Sequence, residues 1–182
     1  MPLRLAHVRR LATLAVLAAS AGCIEQPLAS NDAGLEADTA PKRDAAPPPP
    51  VTLVPTTRAA LATFLEEGQY RAFAAESRVH ASEGPHGLVL TFMNPILFDS
   101  LAAGNRTHPR GAAAVKEIYK GGQTLAGWSV MVKVASESLG GDGYFWFEAV
   151  EGRLTAEGTG DPLCAQCHQV GNDFILSRFP LR

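Results

Sequence analysis

The stretch Gly127-Trp128-Ser129-Val130-Met131-Val132-Lys133-Val134 sends Trp128, Val130, Val132 and Val134 to one side of an extended chain and Ser129, Met131 and Lys133 to the other. A period of two marks a pleated strand with one face on a core, because successive Cβ atoms leave a strand on opposite sides. Outward from it, residues 87–93, 112–119 and 144–150 are likewise rich in β-branched or aromatic side chains, which suit a pleated surface. Gly121-Gly122 and Gly140-Gly141-Asp142-Gly143 separate the last three of these four segments, as hairpin connections do. The expectation is an α+β domain with a mostly antiparallel β-sheet and peripheral short helices.

Two of those helices are readable. Residues 57–68 place Leu61, Phe64 and Leu65 on one helical face and close on Gly68. Asn94-Pro95 joins a capping side chain to a proline at the first helical position. Ile96, Leu97, Phe98 and Leu101 then follow at helical spacing, and Gly104 stops the run. This second helix is expected to cross one face of the sheet.

The chain has 182 residues, 46% apolar, with 16 basic against 18 acidic side chains. That balance excludes a collagenous or coiled-coil chain and gives no electrostatic case for a nucleic-acid partner. Arg4, Arg9 and Arg10 precede an apolar run over residues 11–19 and then Ser20-Ala21-Gly22-Cys23, the layout of a secretory signal over residues 1–22. The apolar run is too short to span a bilayer, which needs about 20 residues. Cys23 after Ala-Gly resembles a bacterial lipobox, so Cys23 is the candidate lipidation site; an ordinary secreted protein cut nearby is the other reading. Residues 23–56, rich in Asp, Ala and Pro and ending near Pro47-Pro48-Pro49-Pro50, bury too little apolar surface to order themselves and read as a disordered tether. The folded domain is expected over residues 57–182, exported and either periplasmic or held at the outer membrane by a lipid anchor.

Asp161-Pro162-Leu163-Cys164-Ala165-Gln166-Cys167-His168 contains C-x-x-C-H, the attachment motif for c-type haem. Two thiols at this spacing suit the two vinyl groups of one porphyrin, and the adjacent imidazole suits the iron. Cys164, Cys167 and His168 are thus the cofactor-binding candidates, with His168 the metal ligand of one covalent haem c. Asp161-Pro162 begins a helix, so the fold expectation includes a C-terminal haem-attachment helix. Three other readings compete. A thioredoxin-like pair needs a following βαβ unit, a zinc site needs further ligands from His80, His86, His108 or a carboxylate, and a structural disulfide needs only an oxidising compartment. Past His168 there is neither Met nor His, and Met93 and Met131 sit in strand-like segments where core packing is the default. The iron is therefore expected to keep an open distal face.

The order of elements resembles the cytochrome P-460 family of β-sheet c-type cytochromes. The matching pieces are His86-Gly87-Leu88-Val89-Leu90-Thr91-Phe92-Met93-Asn94, His108-Pro109-Arg110-Gly111-Ala112-Ala113-Ala114-Val115-Lys116-Glu117, Gly127-Trp128-Ser129-Val130-Met131-Val132-Lys133, the C-x-x-C-H pentapeptide, and Asp173-Phe174-Ile175 with Arg178-Phe179. The resemblance covers most of the domain from about Leu65. It implies an antiparallel sheet with peripheral helices, a homodimer, and an iron that binds hydroxylamine or nitric oxide. It also implies a lysine bonded to the porphyrin ring, at the position of Lys116, which makes Lys116 both a cofactor-binding and a catalytic candidate. Glu117 alternates to the opposite side of a regular strand. The family's hydroxylamine-oxidising members carry a distal carboxylate on the strand after the lysine. Here Lys133 aligns in that area and Glu137 follows in a loop, so substrate oxidation stays open while ligand binding does not.

Two functions follow. The first is a haem protein binding a small nitrogen species, with Phe92, Met93, Met131 and Trp128 as candidate pocket wall and electrons passing to a carrier protein. The second is a non-catalytic c-type cytochrome for electron transfer or nitric oxide binding, its sixth position closed by His80, His86 or Met131.

Overall fold

A computed structural model describes residues 53–182. The export signal, Cys23 and the tether through residue 52 lie outside the described residues. Helix α1 (Arg58–Glu66) buries Leu61, Phe64 and Leu65, the stripe its spacing predicts, and Gly68 takes the left-handed conformation that ends it. A single 3₁₀ turn (Gln69–Ala72) leads to two minimal strands, β1 (Ala74–Ala75) and β2 (His80–Ala81), both paired with β3 (Leu88–Met93). Helix α2 (Pro95–Ala102) starts as Asn94-Pro95 predicts: the Asn94 side chain accepts the Leu97 N–H at 3.0 Å, and it also accepts the Ala113 N–H at 2.9 Å. Strands β4 (Ala113–Lys120), β5 (Thr124–Lys133), β6 (Tyr144–Val150) and β7 (Arg153–Thr159) follow, then helix α3 (Pro162–His168).

All strand pairs are antiparallel, in the order β1-β3-β4-β5-β6-β7 with β2 beside β1 along β3. The architecture is the expected one, a mostly antiparallel sheet with three short helices. Strand β7 was not expected from the sequence. Among the described residues no helix is long and apolar enough to cross a membrane.

The sheet has two buried faces of different character. One packs α1 and Tyr70 against Phe92, Val115, Val130, Val132 and Phe145, and Val54 joins that core from ahead of α1. The other packs α2 and α3 against Met93, Ala114, Met131, Tyr144 and Trp146. Strand alternation decides which face each residue serves. The cross-strand row Thr91, Lys116, Ser129, Glu148 belongs to the second face, beside the apolar row Met93, Ala114, Met131, Trp146.

Candidate functional site

The cysteine-bearing helix is set by its first two residues. The Asp161 carboxylate accepts the Leu163 and Cys164 N–H groups at 3.0 and 3.4 Å, and Pro162 occupies the first helical position, where its missing N–H costs nothing. One turn of helix then puts Cys164 and Cys167 on the same side. Both thiols are free; Cys164 is half-buried and Cys167 exposed. Burial, and then the neighbouring Asp161 carboxylate, push the Cys164 thiol up to about 12, so it stays protonated.

His168 ends the helix with its ring turned inward. Its Nδ1 lies 2.8 Å from the carbonyl oxygen of Phe174. A carbonyl only accepts, so Nδ1 carries the proton and Nε2 of the neutral ring holds the lone pair. Burial, the largest influence, holds the ring below its ordinary pKa and keeps it neutral, with the Phe174 carbonyl acting in the opposite sense. Trp146 meets the ring edge-on at 4.8 Å between centroids, and His86 stands at 6.5 Å.

The polar row of the sheet lies within electrostatic reach of His168: Lys116 and His86 oppose its protonation and Glu148 favours it. Lys116 is half-buried, and burial pulls its ammonium below the usual lysine range, against the attraction of Glu76 and Glu148. Glu148 accepts from His86 Nδ1 at 2.7 Å and from the Ser129 side chain. The His86 bond, its largest influence, holds this carboxyl below the usual range, so it is ionised.

The structure brings together Cys164, Cys167, His168, Lys116 and His86. It corrects other expectations. Phe92 and Trp128 belong to the opposite face, packed with α1, and wall no pocket beside Lys116. Met93 and Met131 are on the Lys116 face but buried in its apolar core. The His80 Nε2 lies 3.0 Å from a Glu76 carboxylate oxygen. Lys133 does not stand beside Lys116; it is fully buried at the far end of β5, paired with Asp173. Glu137 lies in the loop after β5, as expected, and is exposed. Glu117, by contrast, faces away from Lys116 as alternation predicts, and accepts from Tyr70 at 2.5 Å, from Arg71 at 3.0 Å and from Tyr119.

Glu148 was missed. Its signal was present, one acidic residue in the apolar strand Tyr-Phe-Trp-Phe-Glu-Ala-Val, but only the register of β6 on β5 sets it opposite Ser129 and thus on the Lys116 face. The described sheet has no parallel pair for a thioredoxin-like unit, and no three His, Cys, Asp or Glu side chains converge as metal ligands among the described residues. No protein-family model and no curated protein matches the chain.

Proposed function

We propose that this chain is an exported c-type haem protein of the cytochrome P-460 kind, which binds hydroxylamine or nitric oxide at an open iron position and oxidises it. The observation that carries the reading is the hydrogen bond from His168 Nδ1 to the Phe174 carbonyl, next to two free thiols on one helix side. A ligating imidazole nearly always donates its other N–H to a carbonyl or carboxylate, which fixes tautomer and ring orientation. The donor set fits the group: Cys164 and Cys167 supply the two thioether sulfurs and His168 Nε2 the axial nitrogen. Haem, when bound, would supply an iron that takes the small ligand and accepts its electrons.

The remaining residues have roles of their own. Lys116, its ammonium destabilised by burial, presents a nitrogen suited to bonding the porphyrin edge. Glu148, ionised and oriented by His86 and Ser129, is the base that takes a proton from bound hydroxylamine at a carboxylate oxygen. That carboxylate favours oxidation over binding alone. On this reading the lipid on Cys23 tethers the domain to a membrane, the protein pairs as a homodimer, and a soluble carrier protein collects the electrons.

His86 supports a second reading, an electron carrier or nitric oxide binder whose sixth position is closed by that imidazole, since its ring stands near His168. Optical spectra of the matured, full-length protein separate the two. A ferrous Soret band that moves with carbon monoxide supports the open site, and a sharp low-spin spectrum indifferent to it supports His86 ligation. Intact mass and peptide mapping around Lys116 report the thioethers, the lysine bond and the lipid. A colourless product from a maturation-competent host refutes both readings.

A further inference from the structure

Residues Asn172–Ile175 form a tight turn closed by the Ile175 N–H on the Asn172 carbonyl at 3.0 Å, with Asp173 at φ 47° and Phe174 at φ 65°. Two successive non-glycine residues in the left-handed region are costly, and a bulky Phe there is an outlier. Such a turn persists only where its surroundings over-determine it. The Phe174 ring is one anchor, buried against Tyr144 and Trp146. The Asp173 side chain is the other.

Its carboxylate accepts the His108 backbone N–H at 2.7 Å through Oδ2, and the same oxygen pairs with the Lys133 ammonium. Lys133 is wholly enclosed, its ammonium 5.5 Å from the centre of the Tyr144 ring. A buried ammonium without a counter-charge is strongly disfavoured, so Lys133 locks Asp173 in place far more firmly than a surface ion pair locks its partners. The contact joins two residues that are 40 positions apart in the chain. What the contact holds is the turn whose next carbonyl, that of Phe174, receives His168 Nδ1.

We infer that Lys133 and Asp173 are positioning residues for the axial imidazole: the buried pair clamps the strained turn and so aims the Phe174 carbonyl at His168. This rests on the haem reading above, in which His168 Nε2 ligates the iron. A firm acceptor at Nδ1 makes the imidazole a stronger donor to the metal, so a loosened turn weakens the iron–imidazole bond and shifts the midpoint potential positive.

The test uses the matured holoprotein with Lys133→Met, Asp173→Asn and the double variant, which removes the buried charges together and is the one least disturbed in folding. Resonance Raman of the ferrous form reads the iron–imidazole stretch, and potentiometry the midpoint. Each single variant is expected to lower the stretching frequency and raise the potential. The double variant should match the single ones, because both residues act through one turn. Glu117→Gln, on the opposite face, should reduce stability and leave the stretch unmoved. Unshifted frequencies in all three variants, or shifts that add in the double variant, overturn the inference while the haem reading stands. A colourless wild type overturns the haem reading and this inference with it, whereas a coloured wild type without an iron–imidazole band is six-coordinate and overturns the open-site reading on which this inference is built.

Discussion

Gly141 offers a direct measure of how tightly the β5–β6 connection holds helix α3. Its φ is +94°, and a Cβ built on it would stand 2.5 Å from the Ala165 Cβ and 3.2 Å from the Phe174 ring. Carbon atoms rest at about 3.5–4.0 Å, so Gly141→Ala forces α3 back by about 1 Å or more. Gly140, one residue earlier, has φ +78° and nothing within 4 Å of its built Cβ. Gly140→Ala therefore carries only the backbone penalty, about 1–2 kcal/mol. Gly141→Ala carries a similar penalty plus overpacking of about 1–3 kcal/mol, for a total of about 2–5 kcal/mol. For a domain of this size that is a fall in Tm of about 6–20 °C, against about 3–8 °C for the Gly140 variant. Thermal and urea unfolding of the two variants, followed by circular dichroism, give the comparison. Equal destabilisation would refute the idea that this loop bears on α3.

Glu148→Gln is expected to lower hydroxylamine turnover by about 100-fold or more while nitric oxide binding persists, since only the proton acceptor is lost; steady-state kinetics and ligand titration check it. Burial, outweighing Asp173 and reinforced by Lys133, holds His108 below its ordinary pKa of 6.5. The unfolded chain then takes up a proton before the folded one does, and stability falls as pH drops below about 6.5. His108→Asn should flatten that slope in urea midpoints measured between neutral and mildly acid pH. Asn94→Ala strips a helix cap and leaves the Ala113 N–H and the Gly111 carbonyl, which takes the Asn94 amide at 2.7 Å, without partners; a loss of about 2–4 kcal/mol in chemical denaturation is expected.

Local signals carried much of this structure. Alternation marked β5, β-branched and aromatic content marked β3, β4 and β6, Asn94-Pro95 and Asp161-Pro162 marked two helix starts, and the C-x-x-C-H placed both thiols and the imidazole on α3. Strand β7 escaped because it is an edge strand whose side chains are mostly exposed, so Arg-Leu-Thr-Ala-Glu-Gly-Thr has no apolar period to read. Strands β1 and β2 are two residues each, too short for any pattern. The errors over Trp128 and Phe92 have another origin. Alternation sorts residues within a strand, but the register between strands decides which sets share a face. Phe92 stands opposite Val115, and Trp128 opposite Glu117, so neither joins Lys116. The Lys133 partnership with Asp173 is long-range and was beyond local reading for the same reason.

Lys116 and Glu117 are neighbours in the chain yet look into opposite interiors, one toward the cysteine helix and the other into the Tyr70, Tyr119 and Arg71 cluster. Sliding β4 by a single position would drive an ammonium among aromatic rings and strand a carboxylate over the imidazole. Unlike charges on adjacent residues thus act as a ratchet tooth, and an insertion or deletion within β4 should be tolerated far less well than one in the Gly121-Gly122 turn that follows it.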